Sequence, residues 1–203
     1  MAFLDSKDED LLPSSITELL PGFVPENELE GRIVRELDLL EGLAWGVPRE
    51  GHPEGAVYVH VADLLATLDG WGEEPDVRSK LRFIALVHDG FKYEVRERLP
   101  KIGRNHHADR ARRFAEGFSD DPAILTTIQH HDRPYAIWRK LKRKETLDHK
   151  AFEAMMDDIV DPSLFMRFVE LDGSTAGKNR DPIHWFRGEL EKRGYDLPQP
   201  PRP

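Results

Sequence analysis

The chain has no cysteine. That excludes disulfides, thiolate metal sites and a cysteine nucleophile, and it suits a reducing, cytoplasmic setting. Long apolar runs are missing too. None approaches the roughly 18 residues that span a bilayer, so no membrane partner is expected. The opening stretch MAFLDSKDEDLL is acidic and has no apolar run of the secretory kind, so no signal peptide is expected there. Positive charge is in short supply: 29 Lys and Arg face 38 Asp and Glu, a net charge of −9. Such a surface repels long polyanions, so extended nucleic acid is not an expected partner. A small phosphorylated substrate stays compatible, because local basic residues decide its binding. Two-residue alternation of strand type is absent, and so is any internal repeat.

What remains is helical patterning over 203 residues, a length that suits one domain. Residues 1–26 read as a partly ordered N-terminal arm with one short helix near Ser15–Leu20. Asn27 is placed to cap a helix running to about Leu43, with Leu29, Ile33, Leu37 and Leu40 on one face and Gly42 near its end. GVPREGHP (residues 46–53) is turn chemistry. Helices then follow over about Glu54–Leu68, Val77–Phe91, His106–Phe118, Pro122–Asp132, Ala136–Lys144, Thr146–Ile159, Ser163–Leu171 and Pro182–Arg193, with Pro134 breaking the fourth of these. The reading is an all-α, single-domain irregular bundle over residues 27–195, with a proline-rich tail at 196–203.

Nine histidines in such a chain direct attention to their positions. His60 lies three residues after Val57 and four before Leu64, so it points with the apolar face of its helix. His88 follows Ile84 by four and Leu81 by seven, and Asp89 comes next. His131 follows Ile128 by three. Asp172 follows Phe168 by four and Phe165 by seven. One inward histidine is ordinarily a hydrogen-bonded core residue. A buried ionised carboxylate, however, costs several kcal/mol unless paired or bound to a metal. A divalent Mn, Fe, Co, Ni or Zn ion, one or two per chain, accounts for the set together, since imidazole nitrogen and carboxylate oxygen are ligands these ions accept.

The order H…HD…H…D on helices resembles the HD superfamily of metal-dependent phosphohydrolases. VPREGHPEGAVYVHVADLL (residues 47–65) and RFIALVHDGFK (residues 82–92) are most similar to the HD domains of bacterial tRNA nucleotidyltransferases. With the NHHADRARRFAE, TIQHHD and FVELDG segments, the resemblance covers about residues 45–178. The nucleotidyltransferase head is absent, so addition of tRNA ends is not expected. HD is not followed by the ED pair of (p)ppGpp hydrolases, and HHDRPYAIW lacks the cyclic-di-GMP phosphodiesterase signature. Gly90 stands one position earlier than the usual glycine after HD, while Lys92 still aligns.

The resemblance implies His60, His88, Asp89 and Asp172 as metal ligands. It also implies a second metal held by a histidine from each of two doublets. His131 is preferred over His130. His106 and His107 both stay open, because family spacing favours the first and the apolar stripe the second. Asp89 and Lys92 are the expected catalytic residues, with Lys92, Arg110 and Arg113 as candidates for holding substrate phosphate. The implied function is a phosphomonoesterase or phosphodiesterase acting on a nucleotide or other small phosphorylated metabolite through a metal-activated water. Two alternatives stay open: a mixed-valent di-iron oxygenase of the HD type, which needs six ligands, and a non-catalytic metal-binding module.

Several features have plainer readings. Lys92 at a helix end complements the helix dipole, and Arg110 and Arg113 read equally as solvated surface. His52 and Glu54 read as a turn or as a lip of the site. RKLKRK (residues 139–144) reads first as a solvated helix face and second as a contact for a phosphate-rich ligand. DGSTAGK (residues 172–178) lacks P-loop spacing.

Overall fold

The computed structural model describes residues 13–48, 55–175 and 178–199. These form a single compact, all-helical domain, with no strand among the described residues. In chain order the helices are α1 (Ile16–Leu19), α2 (Glu28–Ile33), α3 (Leu37–Ala44), α4 (Val57–Asp69), α5 (Pro75–Val87), α6 (His107–Ala115), α7 (Pro122–His130), α8 (Arg133–Lys144), α9 (His149–Asp158), α10 (Pro162–Asp172) and α11 (Asp181–Lys192). A 3-10 turn, Gly103–Asn105, precedes α6.

Local chemistry explains the starts. Five helices, α5, α7, α8, α10 and α11, carry proline in the first turn, where its missing N–H costs nothing. Asn27 caps α2 by accepting from the Glu30 N–H at 2.8 Å, and Glu30 reaches back to the Glu26 N–H at 2.9 Å. Asp161 caps α10 by accepting from the N–H groups of Ser163 and Leu164.

The expected single helix over 27–43 is instead α2 and α3, separated at residues 34–36. There the Arg35 and Glu36 N–H groups bond three residues back, which tightens and ends α2. On either side of the break Ile33, Leu39, Leu40 and Leu43 all enter the core. Residues 13–26 also pack on the domain, with Ile16 and Leu20 buried in the same core. Of the tail, Leu197 packs on the smaller cluster described next, and Arg187 donates to the Pro198 carbonyl.

Two apolar clusters make up the interior. The larger is built from α1 to α7 and the smaller from α8, α9 and α11. Helix α10 belongs to both: Leu164, Phe168 and Leu171 face the larger, while Phe165, Met166 and Val169 face the smaller. Its last residue, Asp172, therefore ends where several elements meet.

One ion pair is fully enclosed. Arg82 Nε and Nη2 donate to the two Glu30 carboxylate oxygens at 2.8 and 2.9 Å, and Glu30 has no exposed surface. Arg82 Nη1 also lies 3.1 Å from Glu26 Oε1, so it is removal of Arg82 that strands a buried charge, on Glu30. Arg82→Ala is expected to lower unfolding free energy in urea by about 3–5 kcal/mol, whereas Glu30→Leu with Arg82→Met recovers most of it. A single-variant loss below about 1 kcal/mol would contradict the role given to this pair.

Asp121 offers a pH-dependent test. Partial burial raises its pKa, but the Lys80 ammonium and the Ala123 N–H it caps outweigh that and hold it below the usual aspartate value. A depressed folded pKa contributes stability above the unfolded value of about 3.9 and loses it as pH falls through the folded one. Asp121→Ala should cost about 1 kcal/mol at neutral pH. The gap from wild type should close below about pH 4, as read by denaturation at a series of pH values. A gap unchanged at low pH would refute this account.

Candidate metal centre

Six of the nominated side chains meet at one place, and most arrive from helix ends. His60 comes from the inner face of α4. His88 caps the C-terminus of α5 and Asp89 follows it. His131 caps the C-terminus of α7, His107 opens α6, and Asp172 closes α10. Three helix C-termini therefore converge, and their partial negative charge favours a cation.

The same local device sets two of the histidines. His88 Nδ1 donates to the Ala85 carbonyl at 3.0 Å, and His131 Nδ1 donates to the Ile128 carbonyl at 2.8 Å, each three residues back. Both rings are thus held with Nε2 turned to the cluster. Phe168 backs them, its ring 5.1 Å from His88 and 6.4 Å from His131. His60 Nε2 lies 2.8 Å from Asp172 Oδ1, and its Nδ1 lies 3.1 Å from Thr175 Oγ1.

Asp89 stands between two groups. On one side are His60 and His88, with His88 Nε2 3.4 Å from Asp89 Oδ2. On the other are His107 and His131, each with Nε2 3.5 Å from Asp89 Oδ1. His88 Nε2 and Asp89 Oδ1 are buried and lack hydrogen-bond partners. Buried polar atoms without partners are costly, and here they belong to ligand types that suit a transition metal. These buried histidine and aspartate groups can hold a metal ion.

The electrostatics follow from burial against charge. Burial pushes Asp89 and Asp172 up, but Lys92 with His88 in the first case, and Lys178 with His60 in the second, outweigh it and hold both well below the usual range. Burial pulls His88 down. Burial, reinforced by His131, takes His107 to about 3. Burial opposes protonation of His131 as well, yet Asp89, Asp132 and Asp172 raise it to about 9. His131 Nε2 lies 3.3 Å from His107 Nε2.

The doublets separate in space. His130 faces Asp158, its Nε2 3.3 Å from Oδ2, away from the cluster. His106 caps α6 by accepting from the Ala108 N–H, and its Nε2 lies 3.4 Å from Asp132 Oδ2. His107 is the member beside Asp89 and His131. With His106 and Asp132 it also forms a third group able to hold an ion. Lys92 Nζ donates to Asp89 Oδ2 at 2.5 Å. Arg110 is ion-paired with Glu94, and Arg113 is exposed on α6. His52 and Glu54 lie outside the described residues.

Three contributors were not singled out from sequence: Asp132, Thr175 and Lys178. Asp132 had a legible signal, because His131-Asp132 repeats the His88-Asp89 dipeptide. Thr175 and Lys178 follow the end of α10, where no periodicity speaks for them. Lys178 Nζ donates to the Asp172 backbone carbonyl at 2.8 Å and to Oδ1 at 3.1 Å.

No family model, curated protein or solved structure matches this chain.

The position of Asp89 depends on a backbone crossing. A Cβ on Gly42 of α3 would lie 1.5 Å from the Gly90 carbonyl oxygen, and one on Gly90 would meet Leu39 Cδ1 at 2.7 Å. Glycine at position 42 allows α3 to press on the turn that carries Asp89, whereas the contact at Gly90 is with the end of a side chain that can shift. Gly42→Ala should therefore cost at least about 1–3 kcal/mol, and weaken Zn or Mn binding in calorimetric titration. Gly188→Ala, with open space around it in α11, serves as the tolerated control. Wild-type stability and metal affinity in Gly42→Ala would disprove the dependence.

Proposed function

We propose that this protein is a metal-dependent phosphohydrolase acting on a nucleotide or another small phosphorylated metabolite. The observation that carries the reading is the pair of buried, partnerless atoms, His88 Nε2 and Asp89 Oδ1, at the junction of two histidine groups. The HD-like order of the same residues in sequence supports it, as does the convergence of helix C-termini.

His60, His88, Asp89 and Asp172 would hold one cation, and Asp89, His107 and His131 a second. A divalent ion there supplies Lewis acidity toward a phosphoryl oxygen and lowers the pKa of a coordinated water toward neutrality. Asp89 would position the attacking water. Lys92, already beside Asp89, reaches for a phosphate oxygen as a point charge. Phe168 keeps bulk water from the rear of the site. Arg110, tied to Glu94, contributes to phosphate binding only where that pair opens, and the exposed Arg113 is the weaker candidate.

One observation favours a second reading. The shared Asp89 unites six side chains of the kind a di-iron oxygenase requires: His60, His88, Asp89, His107, His131 and Asp172. Metal analysis of chelator-free protein separates the two readings.

The test is phosphate or nitrophenol release from nucleotides, 2′,3′-cyclic nucleotides and bis-nitrophenyl phosphate with Mn, Co, Ni, Zn or Fe(II). Metal-dependent release is expected, with His88→Ala losing bound metal and at least about 100-fold in rate, the upper range for disturbing an outer partner alone. Asp89→Ala should behave alike. Silence across the panel with two irons per chain transfers the assignment to oxygen chemistry. No metal uptake under any loading condition removes both enzymatic readings.

A further inference from the structure

Helix α8 carries the one strongly basic run of this acidic chain, and two aromatic rings lie on the same outer face. Its buried side is Pro134 and Ile137. Tyr135 is 52% exposed, Arg139, Lys142 and Arg143 are exposed, and Trp138 is half-buried. The rings of Tyr135 and Trp138 stack at 6.1 Å with 27° between planes. The Arg139 guanidinium lies 5.7 Å over Tyr135, and the Lys142 ammonium 5.8 Å over Trp138. Residues 133–144 contain no carboxylate, so the helix itself supplies nothing to neutralise this face. Lys140, on another side, is held by Asp148.

This face is continuous with the metal centre. Asp132 has helical dihedrals, and its carbonyl accepts from the Ala136 N–H at 3.2 Å. Helical spacing therefore holds from Asp132 onward. Asp132, Tyr135, Arg139 and Arg143 stand at i, i+3, i+7 and i+11, which is one stripe. The stripe starts at the carboxylate that contacts His106 and His107 and runs outward for about 16 Å, roughly five nucleotides at 3.4 Å per strand step.

We propose that the outer face of α8 binds a short single-stranded polynucleotide, its bases on Tyr135 and Trp138 and its phosphates on Arg139, Lys142 and Arg143. Aromatic platforms flanked by cations bind single strands through stacking and backbone charge, and every base has a face to stack. A duplex hides its base faces, and the net charge of −9 repels an extended polyanion, so the occupant is short and single-stranded. An anionic lipid surface fits less well, because the face offers two polar-tipped aromatics and no aliphatic side chain to insert. Binding of the strand stands on α8 alone. That the strand is also the substrate, delivered along the stripe to the cluster, rests on the phosphohydrolase reading.

The experiment is fluorescence anisotropy of a labelled ten-nucleotide deoxythymidine strand titrated with full-length, chelator-treated protein. Binding weakens with salt. Tyr135→Ala with Trp138→Ala is expected to raise the dissociation constant about tenfold or more. Arg139→Gln, Lys142→Gln and Arg143→Gln together should reduce the slope of log affinity against log salt by about 2. His88→Ala should bind the strand as wild type does while losing hydrolysis, which separates this surface from the metal centre. Equal binding by wild type and the aromatic variant overturns the proposal. So does binding only to phosphatidylserine vesicles and not to the strand. Strand binding with no hydrolysis under any metal keeps the surface and removes only the delivery role.

Discussion

Two carboxylates, the buried Asp89 and the half-buried Asp172, stand where helix ends meet and must be compensated there. A bare buried carboxylate is too costly to keep, so everything around these two answers that cost. Lys92 and Lys178 reach them from the solvent side, and histidines surround them from within. Between them the groups lower both carboxyl pKa values despite burial. Three polar atoms of the cluster, His88 Nε2, Asp89 Oδ1 and Asp132 Oδ1, are still left without hydrogen-bond partners, and the groups they belong to can hold a cation.

The scaffold serves this demand through repeated local solutions. A histidine at a helix C-terminus bonds its Nδ1 to the carbonyl three residues back, at both His88 and His131. An aspartate follows each, so α5 and α7 deliver similar His-Asp tips, and Asp89 of the first stands between His88 and His131. Helix α10 joins the two apolar clusters and ends in Asp172, so packing along its whole length places that carboxylate. Helix α3 closes the arrangement by backbone contact at Gly42 and Gly90. The candidate metal centre and the exposed face of α8 meet at Asp132, which contacts the cluster by its side chain and continues into α8 by its backbone.

Much of this was legible in the residues. The apolar stripes placed His60, His88, His131 and Asp172 inward, because helical spacing fixes which side chains share a face. Proline and cap residues located most helix starts to within a few positions. The doublets were not fully legible: at a helix boundary neighbouring residues diverge by about 100°, and only packing decides which turns in. His106 took the cap and His107 the cluster for that reason. The break between α2 and α3 was also hidden, since a continuous apolar pattern does not say where the chain tightens to fit a neighbour.

Composition and periodicity by themselves determined an all-helical chain without thiol chemistry and a set of inward histidines and aspartates needing a common partner. These are local properties, written in side-chain type and in the 3.6-residue repeat. Only the tertiary structure decided that Asp89 stands between two histidine groups, that Asp132 and Lys178 join them, and that Tyr135 and Trp138 stack on the outside. Those facts depend on distances between residues far apart in sequence, set by how helix ends converge once the core is packed.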